Sequence, residues 1–201
     1  MGQHFFAMMH RMRYINRWGL MRNTQTENIT EHSLEVAIIA HALAEIRIRF
    51  FGEGRVRVDP AQTALLAIFH DASEILTGDL PTPVKYYNPA IQEAYHTVES
   101  IAATQLLTMV PEPLESAYRE LLLPDRSDPR VDETMRLVKA ADRICACIKC
   151  IDEEKAGNRE FREAADAVRA KLDEAASGLP EVRYFLDKFL PPFALSLDEL
   201  R

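Results

Sequence analysis

Apolar residues recur at helical spacing along nearly the whole of this chain, and each break in the pattern carries helix-ending or helix-starting chemistry. Phe5, Met8, Met9, Met12 and Ile15 open the series and predict a first helix that ends near Trp18-Gly19. Residues 20–28 are polar and aperiodic, which reads as a loop. Asn28 followed by Glu31 has the form of a capping box, starting a second helix that reaches about Phe51. Asp59-Pro60, with Gln62 behind it, opens a third helix toward Leu76. Gly78, Pro81 and Pro83 cannot continue it. Asn88-Pro89 repeats the cap-plus-proline signal for a helix through about Met109, and a short helix is expected over 114–122. A long helix over about 131–155 stops at Gly157, Asn158 caps another to about Ala176, and Pro180 opens a last short one to Phe189. The 7 glycines in 201 residues also favour helix over a turn-rich β fold. The expectation is an all-α single domain, residues 1–201, of about eight helices.

Composition narrows the function classes. A chain of this length buries roughly 70% of the surface its unfolded form exposes, so it folds without needing a disulfide or a metal. The formal charge of -7 argues against binding nucleic-acid polymers or membrane surfaces. Cys145, Cys147 and Cys150 lie in one helical stretch. They form no disulfide framework and read as small buried residues in a reducing compartment. No stretch approaches the ~18 apolar residues of a membrane span. His10, Arg11 and Arg13 interrupt any signal-peptide core, so the cytoplasm is the expected location.

Three helices carry residues with chemistry to offer. At about 100° per residue, His70, Asp71 and Glu74 share one arc of the third helix. Alone, that set fits a solvated imidazole–carboxylate pair as well as a metal half-site. His32 shares its face with Val36, Ile39 and Leu43, which puts an imidazole on a core-facing stripe. His41 lies on the opposite side of the same helix and reads as structural. Asp142 shares a stripe with Met135, Val138 and Ala146, a costly position unless it is coordinated or paired with Lys139 or Lys149. His32, His70, Asp71 and Asp142 together suit a borderline divalent ion such as Co, Mn, Zn, Fe or Ni better than Ca or Mg. Arg11, Arg13, Arg17 and Arg22 form an acid-free basic segment in an acidic chain. Arg17 either grips phosphate bidentately or is a solvated helix-end cation. Trp18, the sole tryptophan, is a pocket wall or core filler.

The order His32, His70-Asp71, Asp142 on successive helices resembles the HD-domain phosphohydrolase superfamily. Ile15-Asn16-Arg17-Trp18, Thr26-Glu27-Asn28, His70-Asp71-Ala72-Ser73-Glu74, the block from Thr77 to Tyr86, Lys139-Ala140-Ala141-Asp142 and Leu195–Glu199 extend that resemblance. They make it closer to the bacterial HD-domain 5'-deoxynucleotidases. The resemblance spans essentially the whole chain and implies an HD-domain helical bundle that hydrolyses deoxyribonucleoside 5'-monophosphates. It implies one divalent metal per chain, cobalt or manganese, on His32, His70, Asp71 and Asp142. Glu74, Arg17 and Asp71 are then catalytic. Arg17, Trp18, His32, Asp71, Asp79, Leu80, Pro81 and Thr82 contact the nucleotide. A homodimer is implied as well. Single-step, metal-assisted hydrolysis follows, because no cysteine or serine nucleophile sits beside a base. The alternatives are another HD hydrolase, acting on a cyclic nucleotide, a triphosphate or an alarmone, and a catalytically silent nucleotide-binding module.

Overall fold

The computed structural model describes residues 3–85 and 87–200 and, at Thr82 and Pro83, the backbone alone. Its helices are α1 (Phe5–Met9), α2 (Ile29–Phe50), α3 (Pro60–Phe69), α4 (Glu74–Thr77) and α5 (Thr82–Lys85). They continue with α6 (Pro89–Leu107), α7 (Glu112–Leu122), α8 (Pro129–Lys155), α9 (Arg162–Gly178) and α10 (Pro180–Lys188). Short 3-10 turns cover His10–Tyr14, Arg159–Phe161 and Pro191–Ala194. The fold is all-α. Among the described residues the only β pairing is an isolated bridge between Asn16 and Asn28.

The capping chemistry written in the sequence is found in the structure. The Asn28 side chain accepts from the backbone N–H groups of Thr30 and Glu31, and Glu31 returns a bond to the Asn28 N–H. The Asp59 side chain accepts from the Gln62 N–H, and the Asn88 side chain from the Ile91 N–H. Each bond satisfies a helix N–H that has no partner within its helix. Helix α2 then buries one long stripe: His32, Val36, Ile39, Ala40, Leu43 and Arg47. That stripe packs with Leu137, Ala141 and Ile144 of α8 and with Leu66 of α3, joined by Leu172 and Phe185. Truncating a buried leucine such as Leu43 to alanine costs about 2–5 kcal/mol.

Two expected helices are shorter than their patterns. The first α-helix ends at Met9, tightens into a 3-10 turn to Tyr14, and is over well before Trp18. Ile15 and Asn16 are instead drawn into pairing with the start of α2: the Ile29 N–H donates to the Ile15 carbonyl at 3.0 Å and the Arg17 N–H to the Glu27 carbonyl at 2.9 Å. The third helix ends at Phe69 rather than Leu76. Residues 70–73 form tight turns in which Ala72, Glu74 and Ile75 each bond back three residues. The His70 ring contributes to the break, since its Nδ1 lies 2.7 Å from the Ala67 carbonyl and takes up an acceptor at the helix end.

Candidate metal and phosphate site

The site gathers at the N-terminal end of α2, the C-terminal end of α3, the middle of α8 and the two loops that flank them. His32 is fully buried. Its Nε2 lies 3.2 Å from Asp142 Oδ1 and 3.6 Å from Asp71 Oδ2. His70 Nε2 lies 3.1 Å from Asp71 Oδ2. The two imidazole rings are 5.4 Å apart. One donor atom each from His32, His70 and Asp142 lies within 4.8 Å of the others. Asp71 adjoins this group through both imidazoles.

Both Nε2 atoms are buried and neither makes a hydrogen bond. A buried imidazole nitrogen without a partner is costly in a finished core. For His70 the tautomer is fixed from behind: Nδ1–H donates to the Ala67 carbonyl, which leaves the Nε2 lone pair facing the cluster. Two imidazole nitrogens and two carboxylates fit a borderline divalent ion. The residues present could therefore hold one.

Charge is concentrated here. Burial opposes ionisation of Asp71, but His70 and His32 hold its carboxyl far below the usual range. Burial likewise opposes ionisation of Asp142, and Lys139 with His32 lowers it strongly. Lys139 Nζ donates to Asp142 Oδ2 at 2.6 Å, so the alternative of a lysine pair for Asp142 holds beside its place in the cluster. His32 is raised above its usual value: burial and Arg17 work against its charge, and Asp142 and Glu27 outweigh them. Glu74 goes the other way. Burial, then the nearby Asp71 and Asp79, push it up to about 10, so it carries a proton at neutral pH. Its Oε2 is buried without a partner.

Arg17 enters the same cluster. Burial disfavours its charge, but Glu27, Asp142, Asp71 and Asp79 more than compensate, and its pKa is raised. Its NH1 lies 3.0 Å from Glu27 Oε2 and 2.9 Å from His32 Nδ1, and its NH2 lies 3.8 Å from Asp142 Oδ1. The rest of the basic segment does not join it. Arg11 and Arg13 are exposed against the Tyr14 ring, and Arg22 is exposed beside Glu160.

Trp18 sits in the left-handed region at φ 59°, where a bulky residue is strained. Three contacts hold it there. Its N–H donates to Asp79 Oδ2 at 3.0 Å, its carbonyl accepts from the Met21 N–H at 2.8 Å, and its ring packs on Phe161 at 5.3 Å. The Arg17 guanidinium lies 5.9 Å from the indole. Trp18 thus packs beside Phe161 and Cys150 while its backbone is tied to Asp79 at the edge of the cluster. Gly78, at φ 73°, lets the chain turn sharply out of α4 into Asp79. Leu80 and Pro81 follow, half-buried. The Thr82 side chain and all of Tyr86 lie outside the described residues. The three cysteines are buried and free on α8, and His41 is exposed.

Two residues of weight, Glu27 and Glu153, have no role that the sequence pattern assigns. Glu27 touches both Arg17 and His32. Glu153 accepts from the Thr24 N–H and hydroxyl, from Asn158 and from Lys149, pinning the 20–28 loop to α8. For Glu153 the legible signal is a glutamate four residues after a lysine, just past the apolar run 144–148 of α8.

The family described as 5'-deoxynucleotidase YfbR-like matches residues 4–193. A 5'-deoxynucleotidase of Shewanella oneidensis is 49% identical over 197 residues, covering 98% of this chain and 97% of the relative. The 5'-deoxynucleotidase YfbR of Escherichia coli is 50% identical over 197 residues, covering 98% and 95%. Among solved structures, an HD-domain phosphohydrolase from Listeria innocua superposes with a TM-score of 0.80 at 24% identity, over 98% of this chain and 92% of that one. The cyanophage S-2L HD phosphohydrolase DatZ, bound to dA and one catalytic Zn2+ ion, matches with a TM-score of 0.59 at 20% identity, over 92% and 95%. The all-α bundle is the HD-domain phosphohydrolase fold, and with half of its residues shared end to end this chain belongs to the YfbR-like 5'-deoxynucleotidase family.

Proposed function

We infer that this chain is a metal-dependent 5'-deoxynucleotidase, which hydrolyses deoxyribonucleoside 5'-monophosphates to deoxyribonucleosides and phosphate. The observation that carries the chemistry is the pair of buried Nε2 atoms on His32 and His70, which make no hydrogen bond and face Asp142 and Asp71, with Arg17 beside them. His32, His70, Asp71 and Asp142 would hold one divalent ion, with cobalt or manganese preferred and zinc, nickel or iron compatible. Such an ion, when bound, supplies Lewis-acid polarisation of a phosphoryl oxygen and acidifies water.

The chain's own residues do the rest. Arg17 binds phosphate oxygens, its guanidinium held in place by Glu27. Glu74, protonated at neutral pH, handles the proton of the reaction within the same buried space. Trp18 walls the sugar, and Asp79, with Leu80, Pro81 and Thr82, shapes the nucleoside side. One oxygen of Asp79 holds the Trp18 N–H, which leaves the other for the 3'-hydroxyl.

We also assign residues 1–201 to one domain, working as a homodimer in the cytoplasm without nucleic-acid polymers. Leu34 and Ile38, one turn apart on α2 and 60% and 63% exposed, are consistent with a covered face. Three free buried cysteines suit a reducing compartment. No helix of the described residues is long and apolar enough to cross a membrane.

The test is phosphate release from all deoxy- and ribonucleoside 5'-monophosphates, with 3'-monophosphates, cyclic nucleotides and triphosphates alongside, across a panel of divalent metals. Release confined to 5'-monophosphates and dependent on metal is expected. Preferred turnover of a triphosphate or a cyclic nucleotide would overturn the substrate assignment.

A further inference from the structure

Glu27 contacts the arginine and a histidine of the site at once. Its backbone carbonyl accepts the Arg17 N–H at 2.9 Å. Its Oε2 accepts from the Arg17 guanidinium at 3.0 Å, and its Oε1 lies 3.5 Å from His32 Nδ1. The side chain is only 11% exposed. The bridge between Asn16 and Asn28 fixes the two strands of chain on either side of this contact.

An imidazole that gives one nitrogen to a cation must keep its proton on the other, and that proton needs an acceptor. His70 has one in the Ala67 carbonyl. His32 Nδ1 has two neighbours of opposite character. Arg17 NH1, at 2.9 Å, can only donate. While it donates to Nδ1, the proton of a neutral His32 sits on Nε2, the nitrogen that faces Asp142. Glu27 Oε1 is the neighbour that can accept from Nδ1–H and leave the Nε2 lone pair free. NH1 carries two hydrogens: when the one at Nδ1 goes to a phosphate oxygen, the other stays on Glu27 Oε2, and Nδ1 is released to Glu27 Oε1.

We propose that Glu27 is a positioning residue that serves both halves of the site: it accepts the Nδ1 proton of His32, aiming Nε2 at the cation position, and it anchors Arg17 for phosphate. This rests on the metal-binding reading of the His32, His70, Asp71 and Asp142 cluster. Orienting partners behind metal-binding histidines typically change metal affinity about 10–100-fold.

The experiment uses the full-length protein, freed of metal, and the variants Glu27→Gln, Glu27→Ala and Asp142→Ala. Manganese affinity is measured by calorimetry, and KM and kcat for a deoxyribonucleoside 5'-monophosphate at saturating manganese. Glu27→Ala should bind manganese about 10–100-fold more weakly and raise KM. Glu27→Gln should recover most of the manganese affinity, because its amide oxygen still accepts from Nδ1–H. It should not recover KM, because the charge that anchors Arg17 is gone. A merely structural role does not split the two readouts. Wild-type manganese affinity and KM in both variants would overturn the proposal, as would equal losses of both in step with a lowered Tm. Should Glu27→Ala fail to fold, an unchanged KM in Glu27→Gln alone overturns it. Absence of manganese binding by the wild type, or wild-type binding by Asp142→Ala, would instead overturn the metal reading and the proposal with it.

Discussion

Helix α2 puts His32 among Asp71, Asp142, Glu27 and Arg17 near its start. On the same buried stripe, about 22 Å further along the axis at 1.5 Å per residue, it puts Arg47 among Glu181 and Glu133. At the far end the charges close on themselves. Arg47 Nε bonds Glu181 Oε1 at 2.7 Å, Arg47 NH1 bonds Glu133 Oε2 at 2.7 Å, and Arg55 NH1 bonds Glu181 Oε2 at 2.8 Å. Two buried or half-buried carboxylates meet three guanidinium groups, Arg47, Arg55 and, on Glu133, the more exposed Arg136, and the result ties α2 to α8 and α10. At the near end, Glu27, Asp71, Glu74, Asp79 and Asp142 surround Arg17, with Lys139 on Asp142, and two buried imidazole nitrogens face Asp142 and Asp71 without a hydrogen bond. The contrast teaches how to tell glue from a site in a buried ionic cluster. Carboxylates each met by guanidinium groups from neighbouring elements hold helices together. Excess acid facing two buried imidazole nitrogens is the arrangement expected of a cation site.

The largest expected effect lies at the open end. Glu74→Ala should lower kcat by about 10²–10⁴-fold while manganese binding is retained. Its Tm should not fall, because the variant removes a buried carboxyl oxygen that has no partner. Phosphate-release kinetics beside a thermal melt check both. A variant keeping more than about a tenth of wild-type kcat would make Glu74 a bystander.

The closed end should show the reverse. Glu181→Ala strands Arg47 in the core and should cost about 3–5 kcal/mol in denaturant unfolding, with kcat/KM of the folded protein unchanged. A loss of activity out of proportion to unfolding would erase the distinction between the two ends.

A finer comparison concerns the wall of the open end. Trp18→Ala should narrow the gap in kcat/KM between a deoxynucleotide and its ribo counterpart, a gap of roughly 5- to 150-fold if one unpartnered hydroxyl sets it. Asp79→Ala should lower turnover of both, since Asp79 also holds the Trp18 backbone in its left-handed turn. An unchanged deoxy-to-ribo ratio in a folded Trp18→Ala protein would leave Trp18 as packing alone.

The smallest effect tests a second closed cluster, Glu153 with Lys149 and Thr24. Burial raises the Glu153 pKa, but its bonds from Lys149, Asn158 and Thr24 outweigh that and hold it below its ordinary 4.5. A folded pKa below the unfolded one means the stabilisation is present above about pH 4.5 and is lost as pH falls through the folded value. Glu153→Gln should therefore cost about 1 kcal/mol at pH 7, and the difference from wild type should shrink as the medium is acidified below pH 4.5. A pH-independent difference in urea unfolding would contradict the assignment.

Much of this molecule was legible because its signals are local. Capping by Asn28, Asp59 and Asn88 depends on residues two or three positions away, and each helix starts where those residues put it. His32 and Asp142 were legible through periodicity, as polar residues on stripes that had to be buried. His70, Asp71 and Glu74 do come together, but not by sharing an arc of one continuous helix, because the turns at 70–73 intervene. What stayed hidden depends on distant pairing. Apolar spacing persists through Ile15 and so extends the helix that the pattern predicts, whereas the backbone there pairs with Ile29. Trp18 gains its strained turn from Asp79, 61 positions on, and Glu153 reaches Thr24 across 129. The basic segment read as a unit, yet among Arg11, Arg13, Arg17 and Arg22 it is Arg17 that the Glu27 pairing draws inward.

The central claim, that the acid-rich end of α2 is a cation site and the arginine-paired end is not, is tested most directly by calorimetric titration of the metal-free protein with manganese or cobalt. The wild type should bind about one equivalent per chain, Asp71→Ala and a His32/Asp71 double substitution should lose it, and Glu181→Ala should bind like wild type when assayed under folding conditions. Tight retention of metal by the double substitution, or loss of metal by Glu181→Ala while it remains folded, would contradict the account.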